Sequence, residues 1–237
     1  MNFKDIIIKK DYFLIASLLF LGLISCSNEE TKTQNQIAAR PTVPLQNGEV
    51  QIGTQIWMTK NLNVSRYRNG DPIPHVTIRS QWQYLTTGAW CNLHGNQAIG
   101  SIFGKLYNGN AVNDPRGLAP VGYHIPSRGE WEVLINFLGG ASVAGGKMKA
   151  TTLWNYPNVG ATNSSGFTAL PAGILTLGSI FDNGYVFSTT YYGTYFYGSV
   201  PVGAGTNSSC YMTATSAYAS VQFTDNTNGL SVRCIKD

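Results

Sequence analysis

The residues of this chain whose types could do chemistry are four cysteines, three histidines and a late run of tyrosines. His75, His94 and His124 are scattered, with no HExxH helix and no pair at metal-ligand spacing, so no metal centre is expected. Nucleophilic catalysis needs a nucleophile beside a base. There is no G-x-S-x-G elbow, and the sparse carboxylates make no recognisable acid/base pair. Asp225, Asn226 and Asn228 crowd oxygen atoms into FTDNTNG, the ligand type calcium prefers, yet the spacing is not that of an EF-hand and the same residues make an ordinary hairpin turn. What remains is recognition. Tyr191, Tyr192, Tyr195 and Tyr197, with Phe196 among them and Tyr211 and Tyr218 further on, could stack on the apolar faces of sugar rings while their hydroxyls bond the ring edges. Protein interfaces also favour tyrosine, and a sheet that packs alternate tyrosines inward shows the same pattern. The expectation is a non-catalytic binding protein without a cofactor, its ligand a glycan or an envelope or host protein.

Such side chains need a framework, and composition limits which one. Charged residues are only 12% of the chain, aromatics are another 12%, and there are 26 glycines, which favours short strands and ordered loops over helical bundles. No repeat or shift of composition divides the 237 residues, so one domain is expected. The formal net charge of +4 is spread without a Lys/Arg cluster, which argues against nucleic acid as a partner.

Residues 1–25 begin with lysines and carry an apolar run from Tyr12 to Ile24, too short for a comfortable membrane span, and read as an export signal. Its end, Leu23, Ile24, Ser25, Cys26, resembles a bacterial lipobox, in which the cysteine sulfur receives diacylglycerol. Cys26 is therefore the expected anchor to the lipid bilayer. The following Ser27, Asn28, Glu29 and Glu30 resemble the surface-export tags of Bacteroidetes-type lipoproteins, which implies an outer-membrane, surface-exposed protein. Residues 26–48, polar and containing Pro41 and Pro44, read as a disordered tether, with the domain at 49–237.

Within that domain the clearest element runs from Arg116 to Gly140. Ser127 and Glu130 have capping-box spacing; Trp131, Leu134, Ile135 and Leu138 form one apolar stripe; Gly139 and Gly140 supply the stop. The same stretch, with Tyr123, His124, Ile125 and Pro126 before Glu130 and Trp131, resembles the signature of the Fibrobacter succinogenes major paralogous domain, and more loosely that of formylglycine-generating (sulfatase-modifying) enzymes. Further matching motifs are Ile52 to Pro74, Gly104 to Asn108, Ala144 to Lys149, Ser165 to Gly173 and Ser231 to Asp237. In the stretch Val186 to Thr190, Val-Phe-Ser-Thr-Thr stands where that family usually has Trp-Trp-Ser-Ser-Thr, so recognition there is expected to be peculiar to this chain. The resemblance implies a C-type-lectin-like fold.

The remaining pattern fits an α+β domain. Gly53-Thr54 reads as a hairpin turn between Val50, Ile52 and Ile56, Met58; Ser80 to Leu85 as a short helix; Lys105 to Tyr107 as a strand; Ala144 to Lys149 as a short turn. Beyond residue 165 the expected strands are Phe167 to Leu170, Gly173 to Leu177, Tyr185 to Thr189, Cys210 to Thr213, Ala219 to Phe223 and Leu230 to Ile235, the last with one buried face because Leu230, Val232 and Cys234 alternate with Ser231 and Arg233.

With Cys26 lipidated, Cys91, Cys210 and Cys234 remain in an oxidising compartment, enough for one bridge. The family resemblance implies Cys91 to Cys234; Cys210 could instead pair with Cys234 or stay a buried thiol. Formylglycine-generating enzymes use two closely spaced cysteines near their C-terminus. Cys210 and Cys234 are not such a pair, so that activity is not expected. The function expected is a surface adhesin or carbohydrate-binding module, with an interaction subunit of an envelope assembly as the alternative.

Overall fold

The alternation around Gly53-Thr54 closes a two-residue hairpin, with β2 (Glu49–Ile52) and β3 (Gln55–Met58) antiparallel and Ile52 opposite Gln55. The computed structural model describes residues 43–45, 48–177, 185–188, 190–203 and 205–237. The export signal 1–25, Cys26 and most of the tether lie outside these residues. The end of that tether is not free chain, however. Val43–Leu45 forms β1 and pairs antiparallel with β2, so the domain starts earlier than residue 49; Pro44 is tolerated because β1 is an edge strand, where one N–H needs no partner.

The sheet runs β1-β2-β3-β12-β6, where β6 is Tyr123–His124 and β12 is Ile235–Lys236. Ile235 lies opposite both Trp57 and His124, so strands from the start and the end of the domain share one sheet. A second sheet has the order β11-β10-β9, from β9 (Gly193–Gly203), β10 (Thr206–Thr213) and β11 (Ala219–Asp225). Two two-stranded antiparallel sheets complete the named strands: β4 (Trp90–Asn92) with β5 (Lys105–Tyr107), and β7 (Ile174–Leu177) with β8 (Tyr185–Ser188). The helices are α1 (Arg79–Trp82), α2 (Gln97–Phe103), α3 (Gly109–Val112), α4 (Arg128–Phe137) and α5 (Ala141–Met148). With every named strand pair antiparallel, this is an α+β domain.

Helix α4 forms as its sequence dictates. The Ser127 side chain accepts from the Glu130 N–H, and Glu130 Oε2 accepts from the Ser127 N–H at 2.7 Å. At the other end, Gly140 N–H bonds Ile135 O and Gly139 N–H bonds Asn136 O, both glycines at positive φ, which is a Schellman stop. Its stripe seals the core: Trp131 packs on Trp57 with ring centroids 4.8 Å apart, and both rings meet Phe167 edge-on.

Several expectations need correction. Ala144 to Lys149 is not a turn but the end of α5 with its extended C-cap Lys149, a helix that Gly145 and Gly146 disguise. Tyr195, Phe196 and Tyr197 of the aromatic run lie in β9, the longest strand among the described residues at 11 residues, while Tyr191 and Tyr192 form the turn before it. Phe167 to Leu170 is not a strand, since only Ala169 bridges, to Lys149. Leu230 to Cys234 is not one either; Leu230 and Ser231 make isolated bridges, to Tyr107 and Phe196, and the segment threads through the core. Consequently both of its faces are buried, Arg233 included at 0% exposure. Finally, no bridge joins Cys91 and Cys234. All three described cysteines are buried thiols, and each packs in a different apolar cluster: Cys91 with Trp82 and Phe103, Cys210 with Phe196 and Met212, Cys234 with Tyr197 and Val232. Burial without a nearby base pushes each thiol up to about 12, so none is poised as a nucleophile.

Candidate functional site

The structure separates the tyrosines. Tyr197 is a core residue: it is fully buried, and its hydroxyl donates to the carbonyls of Asp225 (3.0 Å) and Asn228 (2.8 Å). That corrects its assignment to a ligand surface. Tyr195 and Tyr211 are cross-strand partners on β9 and β10, half-buried, with rings stacked 5.7 Å apart. Tyr191 sits half-buried, edge-on to Phe103, whereas Tyr192 and Tyr218 are exposed near the end of the sheet where β9 and β11 begin. The turn Asp225 to Asn228 is closed by Asn228 N–H on Asp225 O. Its backbone oxygens are engaged as well, those of Asp225 and Asn228 by Tyr197 and that of Asn226 by the Gly109 N–H, which gives the turn a structural task. Among the described residues no three His, Cys, Asp or Glu side chains converge on a possible metal position.

A polar groove, unforeseen from the sequence, lies elsewhere. Two clefts of about 280 Å³ and about 470 Å³ adjoin at Asn63 and Ser101. The first is lined by His75, Trp90, Asn92, Gln97 and Lys105, the second by Thr59, Lys60, Asn61, Ile102 and Thr168 among others. Its floor is rigid for local reasons. Ile73 and His75 flank Pro74, which holds that segment extended, so it lies alongside β4 with Trp90 N–H on Pro74 O and Val76 N–H on Trp90 O. The Trp90 indole donates to Ile73 O at 3.0 Å, and the His75 ring stacks on it at 3.9 Å, tilted only 5°. Antiparallel pairing sets Lys105 opposite Asn92, and the Lys105 ammonium lies 4.4 Å from the Trp90 ring centre.

Helix α2 forms the wall. Asn96 caps it by accepting from Ala98 and Ile99 N–H, and Gly104 ends it at φ +78°. A Cβ at Gly100 would stand 2.1 Å from Asn92 Oδ1, so only glycine lets the helix press against the floor. Sequence reasoning missed this site because it registered His75 only as an isolated histidine and Trp90 only as the neighbour of Cys91. The available signal was the short apolar run Ala89, Trp90, Cys91 before Asn92, a strand able to pair with Lys105 to Tyr107.

Over residues 50–236 the chain matches the model of the Fibrobacter succinogenes major domain. The chain belongs to this family. No curated protein and no solved structure shows a significant match. In this Fibrobacter succinogenes major domain the signature residues have a structural role that their contacts make plain. His124 joins α4 to the last strand region: Nε2 lies 2.8 Å from Glu130 Oε1 and Nδ1 lies 2.8 Å from Asp237 Oδ1. The neighbouring Tyr123 hydroxyl donates to Glu49, which also receives Lys236 at 3.0 Å. The latch thus ties β2, β6, β12 and α4 together.

Burial acts to lower the His124 pKa, but its hydrogen bonds to Glu130 and Asp237 outweigh that and raise it. A raised folded-state value means the imidazolium stabilises the fold fully below the ordinary histidine value of about 6.5, and the contribution is lost as pH rises through the raised value. His124 and Asp237 are 40% and 57% exposed, so solvent screening holds the effect below about 1 kcal/mol. Thermal unfolding from about pH 5 to about pH 9 is expected to show a wild-type advantage over His124→Gln of no more than about 3 °C at the acid end, vanishing at the alkaline end. An advantage that grows with pH would contradict this latch.

Proposed function

We propose that this protein is a cell-envelope lipoprotein, anchored through Cys26, whose domain captures a carbohydrate in the groove around Trp90 and Asn63 without chemical turnover. The observation that carries this reading is the lining of the groove: side-chain amides (Asn63, Asn92, Gln97), hydroxyls (Thr59, Ser101) and an exposed imidazole over a fixed indole. Sugars present many hydroxyls that both donate and accept, and amides match them in both roles. The exposed Tyr192 and Tyr218 offer further ring contact nearer the late sheet. The finer architecture belongs to the same reading. A C-type-lectin-like arrangement accounts for first and last strands sharing a sheet, with long loops presenting the ligand surface.

The test has two arms. In cells fed labelled palmitate, label is expected in the wild-type chain and absent from Cys26→Ala. On an oligosaccharide array the full chain is expected to bind at least one glycan class. His75→Ala and Gln97→Ala, both at exposed positions, are expected to weaken that binding about tenfold, a loss of one or two contacts, and Gln97→Ala, which removes no ring stacking, is expected to leave thermal unfolding unchanged. A blank array together with an envelope protein captured from the same cells would transfer the function to the interaction-subunit reading.

A further inference from the structure

The groove carries positive charge and nothing to balance it. Lys60 and Lys105 line it, and among its described lining residues there is no Asp or Glu. Lys105 Nζ donates to Asn63 O at 3.0 Å and to Asn63 Oδ1 at 2.6 Å, so its ammonium meets amide dipoles and the Trp90 ring but no carboxylate. Partial burial lowers its pKa, and burial together with the Lys105 charge lowers that of His75. Asn92 adds a polar group beside the charge. It is only 6% exposed overall, yet it lines the cleft from the strand position opposite Lys105. An amide lining a cleft can donate to and accept from what enters it.

Resting on the carbohydrate reading above, we propose that the groove selects acidic oligosaccharides, with a uronate carboxylate seated at Lys105, the adjoining hydroxyls taken by Asn92, Asn63 and Gln97, and a further carboxylate along the sugar chain at Lys60. The two adjoining clefts suit a linear polymer, which lays successive residues along one track, better than a compact single anion. Neutral sugars satisfy the amides but leave both ammonium groups without a counter-charge.

The experiment compares uronate oligosaccharides (galacturonate, glucuronate and mannuronate trimers) with their carboxyl-reduced counterparts, using the full chain and calorimetric titration. At least one uronate trimer is expected to bind about tenfold or more tightly than its reduced partner, with the difference shrinking as salt is raised. Lys60→Gln, at an exposed position, and Lys105→Gln are each expected to reduce the affinity for the uronate trimer about fivefold more than that for the reduced trimer. Equal affinity for acid and reduced forms would overturn the charge selection while leaving the carbohydrate reading intact. Failure of every trimer, together with a blank array, would overturn both. Tighter binding of an oligoglutamate probe than of any uronate would overturn the sugar in favour of an acidic peptide.

Discussion

Arg233→Met is expected to lower unfolding free energy by about 3–5 kcal/mol, because it leaves several buried acceptors without a donor. The guanidinium donates to Asn61 Oδ1 (2.6 Å and 3.2 Å), to the carbonyls of Met58 (3.0 Å) and Thr168 (3.3 Å), and to Phe167 O, and it lies 4.4 Å from the Phe167 ring centre. Each orphaned buried acceptor costs about 1–3 kcal/mol, and relief of the charge's own desolvation offsets part of the sum. Methionine keeps the apolar stem in place, so the loss measures the polar ties rather than a cavity. Urea denaturation is the direct measurement, with a lower midpoint at unchanged slope as the expected result. Arg233→Lys is expected to rescue little, since a single ammonium cannot span the acceptors on both the Met58–Asn61 and the Phe167–Thr168 segments. A variant as stable as the wild type would show that these bonds only compensate the cost of burying the charge.

Gly145→Val is expected to destabilise by about 3 kcal/mol, measured in the same way. A Cβ at that position would stand 2.3 Å from the Tyr218 carbonyl oxygen and 2.8 Å from that of Ala217, and both obstacles are backbone. The sign is informative with alanine. In an exposed helix interior Gly→Ala stabilises by about 1 kcal/mol. In α5 the overlap with backbone must exceed that gain, so Gly145→Ala is also expected to destabilise. A stabilised alanine variant would mean that α5 and β11 separate at little cost. Gly146 is placed similarly against the carbonyl of Gly160, 2.3 Å from its would-be Cβ, so α5 is seated on two sides through the absence of side chains.

These two sites explain motifs whose meaning was hidden in the sequence. In Ala144 to Lys149, the glycines are close-approach points. Lys147 caps the end of α4 through Leu138 O, and Lys149 runs inward to the carbonyls of Val159, Thr213 and Ser216 at 2.8–2.9 Å. Burial lowers the Lys149 pKa to about 8. In Ser231 to Asp237, Arg233 holds loops to the core as Lys149 does. Two cations therefore fasten irregular segments by binding backbone oxygens, where a regular sheet would have used its ladder.

The sequence by itself determined the local features: the capped and glycine-terminated α4, the Gly53-Thr54 hairpin, the inward stripe of Trp131, Leu134, Ile135 and Leu138, and membership of the family. Each depends on residues within a few positions of one another, where capping geometry, positive φ and period 3.6 act without reference to the rest of the chain. Tertiary structure decided the rest. It placed Tyr197 in the core and Tyr192 at the surface from one uniform aromatic run, left three thiols apart that spacing alone could have joined, and made a helix of a glycine pair. It also assembled the groove, since Asn63, His75, Trp90 and Lys105 meet only after β4 has paired with β5 and the Pro74 segment. The physical reason is range: backbone hydrogen bonds and side-chain period are written locally, whereas burial, charge balance and cleft shape depend on which distant segments exclude water together.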